Sequence, residues 1–352
     1  MQRRLIWGTI NKLTYLIGDK PVPQNKSKDS NNHHRRKPLL DLFPEITPYS
    51  SGFMKVDETH EIYWEQCGNP HGVPILFLHG GPGAGATTTH RRFFDPDHYR
   101  IIIFDQRGAG RSTPLGSLEN NTLDHIIGDI EALRYRLNID HWTLFGGSWG
   151  STVALAYAQK HPEHCTSMIL RGIFLMEQSE IDWFLHGMKT FFPEAAEQFH
   201  GLYPDEKPEN ILQRYYDDLN GEDEKARMNA AITWSLYEGA CASLLPNYET
   251  ITTEEQKQSA LALARMEAHY FIHGIIPKEK SLLDNIDKIR HIPTVIIQGR
   301  YDMICPILTA HNLHQAWPEA DYVVVPDGGH SATDPAIRSR LIEATENMKA
   351  FR

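Results

Sequence analysis

Cysteine is scarce in this chain of 352 residues, and its four thiols lie far apart in the sequence. They are Cys67, Cys165, Cys241 and Cys305, and no two of them form a C-x-x-C pair. This spacing disfavours both a structural zinc site and a disulfide framework, and it is typical of a protein from a reducing compartment. We therefore expect a cytoplasmic protein.

Long apolar runs and an excess of positive charge are also missing. No run approaches the ~20 apolar residues that a helix needs to cross a bilayer, so the sequence predicts no membrane-spanning segment. The formal net charge is −10 and no basic segment with interleaved aromatics is present, so nucleic-acid binding is not expected. The chain does have 41% hydrophobic residues, enough for the core of one large domain or of one domain with a substantial insertion.

Residues 1–47 differ in composition from the rest and are predicted to be an extension that ends in a linker. Within residues 3–17, apolar side chains recur at roughly helical spacing with three basic residues between them. Such a basic amphipathic helix can make weak contact with a membrane surface; an accessory helix packed on the body and a disordered arm are the alternatives. Polar residues interrupt the apolar stretch, which does not match a secretory signal peptide. Residues 21–38 are polar and favour a linker.

The body of the chain alternates buried strands with helices. Residues 52–68 predict two antiparallel strands joined near Glu58. Six later runs are short and continuously apolar, as in strands covered on both faces: residues 74–80, 99–105, 142–145, 167–170, 294–299 and 322–326. Helices are predicted at residues 122–137, 151–160, 309–317 and 336–351. This alternation predicts an α/β fold with a mostly parallel central sheet flanked by helices.

The pattern changes between residues 174 and 291, which are rich in Glu, Ala, Leu and aromatics at helical spacing and contain no convincing buried strand. We interpret this stretch as a helical cap domain inserted over one end of the sheet. Residues 48–173 and 292–352 are then the two parts of the core, and no internal repeat is found.

One serine lies between glycines at a predicted strand-to-helix turn. The segment "FGGSWGS" contains G-x-S-x-G as Gly146, Ser148 and Gly150, after an apolar run and before a predicted helix. Such a turn leaves no space for side chains at the flanking positions and presents the serine oxygen from a strained backbone. We interpret Ser148 as a nucleophile; the alternative is a glycine-rich turn that only allows close helix–strand packing.

A serine nucleophile needs a base, and the motif predicts the chain order Ser, Asp or Glu, then His. Asp302 in "GRYDMICP" and His330 in "PDGGHS" each follow a predicted strand, at the sheet end where ligands gather. Asp302 would fix the imidazole tautomer and stabilise the imidazolium. Asp327 and Asp334 are too close to His330 in sequence to reach its far nitrogen comfortably.

Two backbone amides are expected to stabilise the oxyanion of the tetrahedral intermediate. One belongs to Trp149, and the other to Gly81 in the glycine-rich segment "HGGPGAG", which lacks the lysine of a phosphate-binding loop. Arg107 and Arg111 in "DQRGAGRS" are expected to support the site from beneath, with substrate contact as the alternative. These groups predict acyl transfer to water, and since the chain supplies all of them, no metal ion or cofactor is expected.

Several segments together closely resemble the proline iminopeptidases, which are serine peptidases of the α/β-hydrolase fold that release an N-terminal proline. They include "HGGPGAG", "FDQRGAGRSTP", "FGGSWGSTVALAYAQKHPE", "GRYDMICP" and "GGHSA". The resemblance runs from about Pro48 to the C-terminus and leaves residues 1–47 outside. It implies Ser148, Asp302 and His330 as the catalytic triad, and small peptides with a free N-terminal proline as substrates.

The resemblance also implies how the cap recognises a free amino terminus. Two cap glutamates would bind the ammonium group, Glu238 in "TWSLYEGAC" and Glu267 in "ARMEAHYFIHG". Tyr237 stands where the family usually has tryptophan, a departure that would alter the shape of the pocket. Further expected substrate-binding positions are Gly80, within the same glycine-rich segment, and Trp234 and Phe271 as aromatic walls of the pocket, with simple packing in the core as the alternative for the two aromatics.

Two other functions compete with this hypothesis. One is a broader esterase or amidase that uses the same core with a different cap. The other is a binding module on an inactive hydrolase scaffold, which would require a broken triad. All three triad residues are present in the sequence, which favours an enzyme.

Overall fold

The computed structural model describes residues 38–245, 250–277 and 281–351, and a sheet of eight strands runs through this part of the chain. The strands are β1 (Ser50–Lys55), β2 (Glu61–Gly68), β3 (Val73–Leu78), β4 (Tyr99–Phe104), β5 (Trp142–Ser148), β6 (Cys165–Ile173), β7 (Thr294–Gly299) and β8 (Asp321–Val325). Their order is β1-β2-β4-β3-β5-β6-β7-β8; β2 is antiparallel to both neighbours, and all pairs from β4 to β8 are parallel. The mostly parallel sheet predicted from the sequence is confirmed.

Side chains on the two faces of the sheet enter two separate hydrophobic cores. On β3, Leu76 and Leu78 belong to one core, where they join Ile102 of β4. Ile75 and Phe77 point the other way, into the second core. Because successive strand residues point to opposite faces, a strand covered on both sides needs a continuous apolar run. This is why the sequence signal for these strands is unbroken hydrophobicity.

Helices cover both faces of the sheet. Within the described residues they are α1 (Leu123–Arg136), α2 (Trp149–Lys160), α3 (Gln178–Asp182), α4 (Pro193–Gly201), α5 (Ile211–Asn220), α6 (Glu224–Ala242), α7 (Glu254–His273), α8 (Ile307–Ala316) and α9 (Pro335–Met348). Helices α1, α2 and α8 contribute to the first core and α9 to the second. The predicted helices are found with ends shifted by a few residues, and Thr122 caps α1 by accepting from the His125 amide.

The interval between β6 and β7 is helical. It holds α3 to α7, and none of its described residues, 174–245, 250–277 and 281–291, belongs to a strand of the sheet. Helix α7 packs against α5 and α6, and aromatic side chains fill the space between the helices. We call this interval the cap segment. The domain boundaries expected from the sequence stay predictions.

The chain before β1 is described from residue 38 onward. Leu42, Phe43 and Ile46 pack against the second core. The amphipathic helix predicted for residues 3–17 and most of the predicted linker lie outside the described residues. No helix among the described residues combines the length and the apolar character that crossing a bilayer requires.

Candidate active site

Strand β5 ends at Ser148 in a turn that only glycine neighbours permit. The Ser148 backbone has φ 57° and ψ −129°, and α2 begins at the next residue. A Cβ atom at Gly146 would lie 2.2 Å from the Gly150 carbonyl oxygen, and one at Gly150 would lie 2.1 Å from the Leu78 carbonyl oxygen. Any larger residue at either position would therefore displace the backbone. The tight turn predicted from G-x-S-x-G is confirmed.

The loops after β7 and β8 bring Asp302 and His330 together. The His330 Nδ1 atom lies 3.0 and 2.9 Å from the two carboxylate oxygens of Asp302. That carboxylate also accepts hydrogen bonds from the Cys305 amide at 2.8 Å and from Gln298 Nε2 at 3.1 Å. Asp302 is thus held in place and can fix the imidazole tautomer. Asp334 accepts instead from the amide of Gly329, at 3.2 Å.

The second ring nitrogen of His330 faces Arg171, a residue of β6. Arg171 Nη1 lies 3.3 Å from His330 Nε2 and donates to the His330 carbonyl oxygen at 2.9 Å. The side chain of Cys305 lies beside Ser148 in the pocket. Among the described residues, His330 Nε2 has its contact with Arg171 and none with the Ser148 hydroxyl, so proton transfer from Ser148 to His330 requires a side-chain adjustment that brings the two groups together.

The segment "HGGPGAG" begins directly after β3 and lies against the nucleophile. A Cβ atom at Gly80 would lie 3.3 Å from the Ser148 Cβ, and Gly81 lines the same pocket as Ser148. Gly81 has φ +106°, a conformation that favours glycine. The Trp149 amide is the first of α2, where main-chain N–H groups are free to bind an anion. Both expected oxyanion donors therefore border the nucleophile.

One pocket joins the nucleophile to the cap segment. Its lining residues are Gly81, Ser148, Phe174, Glu180, Phe184, Glu238, Glu267, Phe271, Ile304 and Cys305. Of the two predicted aromatic walls, Phe271 lines this pocket. Trp234 is not among its lining residues, because its indole lies fully buried behind Glu267 and donates to that carboxylate at 2.5 Å. Trp234 therefore holds a pocket residue in position.

The two cap glutamates lie close together in the pocket and interact electrostatically. Glu267 is 2% exposed, and Glu238 is partly buried. Burial raises the pKa of Glu238 to about 7, and burial together with the charge of Glu238 raises the pKa of Glu267 well above its ordinary value. Near neutral pH the pair therefore retains at least one proton, and the carboxyl group that carries it can donate a hydrogen bond to the other.

Several pocket residues were not found from the sequence. Glu180 is buried, lines the pocket and accepts hydrogen bonds from the amides of Leu175 and Glu177. Burial raises the pKa of Glu180 to about 7. The only sequence signal for it is a glutamate at the third position of a short helix, which indicates a cap and not a pocket. Cys305 also lines the pocket, whereas Cys241 is buried in α6.

The two arginines of "DQRGAGRS" are occupied by carboxylates. Arg107 forms a bidentate pair with Asp129, at 2.6 and 2.7 Å. Arg111 binds Asp105 at 2.7 Å and Glu65 at 3.0 Å, and its guanidinium lies over the ring of Tyr63. These ion pairs favour the structural role expected from the sequence, in which the two arginines support the site.

The geometry combines the groups of an acyl-transfer site. Ser148 lines the pocket from a strained turn together with Gly81, the Trp149 amide follows Ser148 directly in the chain, and an imidazole paired with a carboxylate is supplied by His330 and Asp302. These are the groups that such chemistry needs. Within residues 38–245, 250–277 and 281–351, no group of three or more His, Cys, Asp or Glu side chains is placed to hold a metal ion.

Comparison with known proteins finds relatives over most of the chain. Residues 73–335 match the family described as the α/β hydrolase fold. The proline iminopeptidase of Arabidopsis thaliana is 50% identical over 313 residues, which cover 88% of this chain and 82% of the Arabidopsis protein. A probable proline iminopeptidase of Leptolyngbya boryana is 48% identical over 89% of this chain and 98% of its own. A solved bromoperoxidase from Bacillus anthracis has a TM-score of 0.58 at 18% identity over 85% of this chain and 100% of that one, a likeness of fold alone.

Proposed function

The chain belongs to the proline iminopeptidases, a family with the α/β-hydrolase fold, and on that premise we propose that it releases proline from the free amino terminus of small peptides. The observation that carries the proposal is the pair of carboxyl groups, the buried Glu267 and the partly buried Glu238, in the pocket that also contains Ser148. An exopeptidase must hold an ammonium group close to the scissile bond, and a cation that leaves water needs fixed negative partners.

Acylation begins at Ser148. Its hydroxyl oxygen attacks the carbonyl carbon of the first residue while His330 takes the proton at Nε2. Asp302 accepts from the His330 Nδ1–H and stabilises the imidazolium. The negative oxygen of the tetrahedral intermediate accepts hydrogen bonds from the amides of Gly81 and Trp149, and one such donor typically contributes roughly 10²- to 10³-fold in rate.

Collapse of this intermediate completes acylation. His330 gives its proton to the leaving amine, so that the shortened peptide departs and proline stays bound as an ester of Ser148. In deacylation, water attacks the ester carbon while His330 takes one of its protons, and the second tetrahedral intermediate collapses to free proline as His330 returns that proton to the Ser148 oxygen. The same two amides stabilise both intermediates.

The cap segment supplies recognition. The carboxyl pair binds the free amine, while Phe271 and the neighbouring rings of Phe174 and Phe184 provide apolar walls for the pyrrolidine ring. The Tyr237 departure from the family pattern leaves this arrangement in place, because the tyrosine is buried and its hydroxyl donates to the Phe184 carbonyl at 2.9 Å. The substituted ring thus packs inside the cap segment while Glu238, the next residue, reaches the pocket.

Hydrolysis of proline β-naphthylamide tests this proposal, with N-acetylproline β-naphthylamide as the matched blocked substrate. We expect turnover of the free-amine compound and none of the blocked one. Equal turnover of both would contradict amine recognition. Hydrolysis of p-nitrophenyl acyl esters without release of proline from any peptide would instead support a broader esterase or amidase.

We also propose a reducing compartment, the cytoplasm, as the setting of this activity. All four cysteines are buried free thiols. Burial raises the pKa of Cys67, Cys165 and Cys241 to about 12, which keeps these thiols protonated and unreactive. Imaging of a fluorescent fusion, compared with cytosolic and secretory markers, tests the assignment, and a secretory location would contradict it.

A further inference from the structure

The two oxyanion donors come from separate strands, and one side chain connects the segments that carry them. The amide of Gly81 belongs to the loop after β3, and that of Trp149 to the turn after β5. Gln106, two residues after β4, donates from Nε2 to the His79 carbonyl oxygen at 3.0 Å. Its Oε1 accepts from the Trp149 indole N–H at 2.8 Å. One primary amide thereby links both segments.

The backbone of Gln106 adds a third bond, which sets the His79 tautomer. The Gln106 amide donates to His79 Nε2 at 2.9 Å, so this nitrogen is the acceptor of a neutral ring. The proton of that ring is then on Nδ1, which lies 2.9 Å from the Gly80 carbonyl oxygen and donates to it. Burial lowers the pKa of His79, consistent with the neutral form.

The hydrogen bond to the Gly80 carbonyl also orients the Gly81 amide. The two groups belong to one planar trans-type peptide unit, in which C=O and N–H point in opposite directions. When the imidazole holds the Gly80 oxygen on one side, the Gly81 N–H is directed to the other. Gly81 has φ +106°, and a glycine can adopt many backbone angles. Without the hydrogen bond from the imidazole, this peptide unit could therefore rotate.

We propose that Gln106 is a positioning residue of the oxyanion hole, which acts through His79 and Trp149 and does not touch the substrate. All three side chains are 1% exposed or less, so water does not compete for their hydrogen bonds. This inference rests on the oxyanion roles proposed for Gly81 and Trp149. It predicts that loss of the link weakens binding of the transition state and spares binding of the ground state.

The test replaces Gln106 with methionine, which keeps the length of the side chain and removes its donor and acceptor. In Gln106→Met we expect kcat on proline β-naphthylamide to fall roughly ten- to a hundredfold with KM within about twofold, because small misplacements of catalytic groups have effects of this size. Gln159→Met is the matched control. Gln159 lies on α2 and donates only to the Leu282 carbonyl oxygen, at 2.7 Å, so its kcat should match the wild type.

Two inhibitors separate positioning from a general structural defect. Prolinal forms a tetrahedral hemiacetal with Ser148, whereas prolinol occupies the same pocket without one. Gln106→Met should raise the inhibition constant of prolinal by roughly tenfold or more and leave that of prolinol within about twofold. Equal weakening of both inhibitors, or unchanged kcat and prolinal inhibition, would overturn the proposal.

Trp149→Phe removes the indole donor and so breaks the same link from the other side. If Gln106→Met does not fold, Trp149→Phe takes its place in the kinetic and inhibitor comparisons, with the same fold-changes expected. If both variants fold, their losses in kcat should be less than additive in the double variant, and fully additive losses would contradict the link. Hydrolysis of p-nitrophenyl acetate keeps the two proposals apart, because its rate depends on the oxyanion hole and not on proline. If the wild type hydrolyses this ester but no proline substrate, the proposed function is refuted. The kcat values of wild type and Gln106→Met on the ester would then still test the positioning role of Gln106.

Discussion

Tyr270 packs against Trp149, with ring centroids 4.5 Å apart. The contact joins α7, which carries Glu267, to the residue whose amide is the proposed oxyanion donor. Helix α7 also meets the glycine-rich loop, where a Cβ atom at Gly83 would lie 2.9 Å from the Cβ of Met266. Helix α7, which carries the glutamate proposed to bind the amine, therefore packs directly on both segments of the proposed oxyanion hole.

Glu267→Gln should separate amine recognition from catalysis. Removing one carboxyl group of the pair should raise KM for proline β-naphthylamide by about ten- to a hundredfold, since hydrogen bonds to charged groups contribute about 1.5–3 kcal/mol. Hydrolysis of p-nitrophenyl acetate should change little, because the triad is intact. Glu255→Gln, at an exposed position of the same helix, is the control and should leave both rates unchanged. A parallel loss on the ester would contradict the assigned role.

The pH dependence of amine recognition should follow the carboxyl pair. As pH rises through about 7, Glu238 loses its proton and the pair becomes more negative, so it attracts an ammonium group more strongly. The ratio of kcat/KM for proline β-naphthylamide to that for p-nitrophenyl acetate should therefore increase between about pH 5.5 and about pH 8. Both substrates need the same base, so the ratio isolates the pair. A ratio that does not vary with pH, or that varies equally in Glu238→Gln, would contradict this prediction.

The same pair should destabilise the fold at high pH. A carboxyl with a raised pKa keeps its proton in the folded state at pH values where the unfolded state has lost it, so stability falls as pH rises from about 4.5 toward about 7 and remains lower above. Glu267→Gln should thus increase the free energy of unfolding by more than about 1 kcal/mol at about pH 8 and much less at about pH 4.5, since each pKa unit corresponds to about 1.4 kcal/mol. Urea denaturation at both pH values measures the difference, and a gain independent of pH would argue against a titrating carboxyl.

Gly80→Ala should slow catalysis without a matching loss of stability. The new methyl group would lie 3.3 Å from the Ser148 Cβ and 3.4 Å from the Gly147 carbonyl oxygen, so the oxyanion loop must shift. We expect kcat to fall roughly ten- to a hundredfold. Gly128→Ala on α1 meets nothing within 4 Å and is the control, with unchanged kcat and a stability gain of about 1 kcal/mol. Wild-type kcat in Gly80→Ala would show that the loop does not need this close approach.

Arg171→Lys should lower kcat by roughly tenfold or more and spare KM, because an ammonium cannot reproduce the guanidinium contacts that hold the His330 loop. Arg171 also fits directly under the nucleophile turn, where a Cβ atom at Gly147 would lie 2.6 Å from its Nη2. Steady-state kinetics test the prediction, with Arg214→Lys at an exposed position of α5 as the control. A rise in KM at constant kcat would assign Arg171 to substrate binding instead.

Local sequence patterns predicted the sheet and the turn at Ser148 well, because the causes of both are local. The glycines around Ser148 are required by contacts at the turn itself and with the adjoining strand. By contrast, Trp234 was expected at the pocket wall and lies behind Glu267, since its position depends on how α6 and α7 pack. The pocket position of Glu180 was missed for the same reason, because its only local signal is that of a helix cap.

The sequence by itself determined the strands and the strained serine turn, because each follows from backbone sterics or from burial on both faces of a sheet. Only the tertiary structure decided which further polar groups face one another: Arg171 and His330, the two cap glutamates, and Gln106 between His79 and Trp149. Hydrogen bonds act only over about 3 Å, so these contacts depend on how segments distant in the sequence pack together. No periodic pattern in the sequence indicates them.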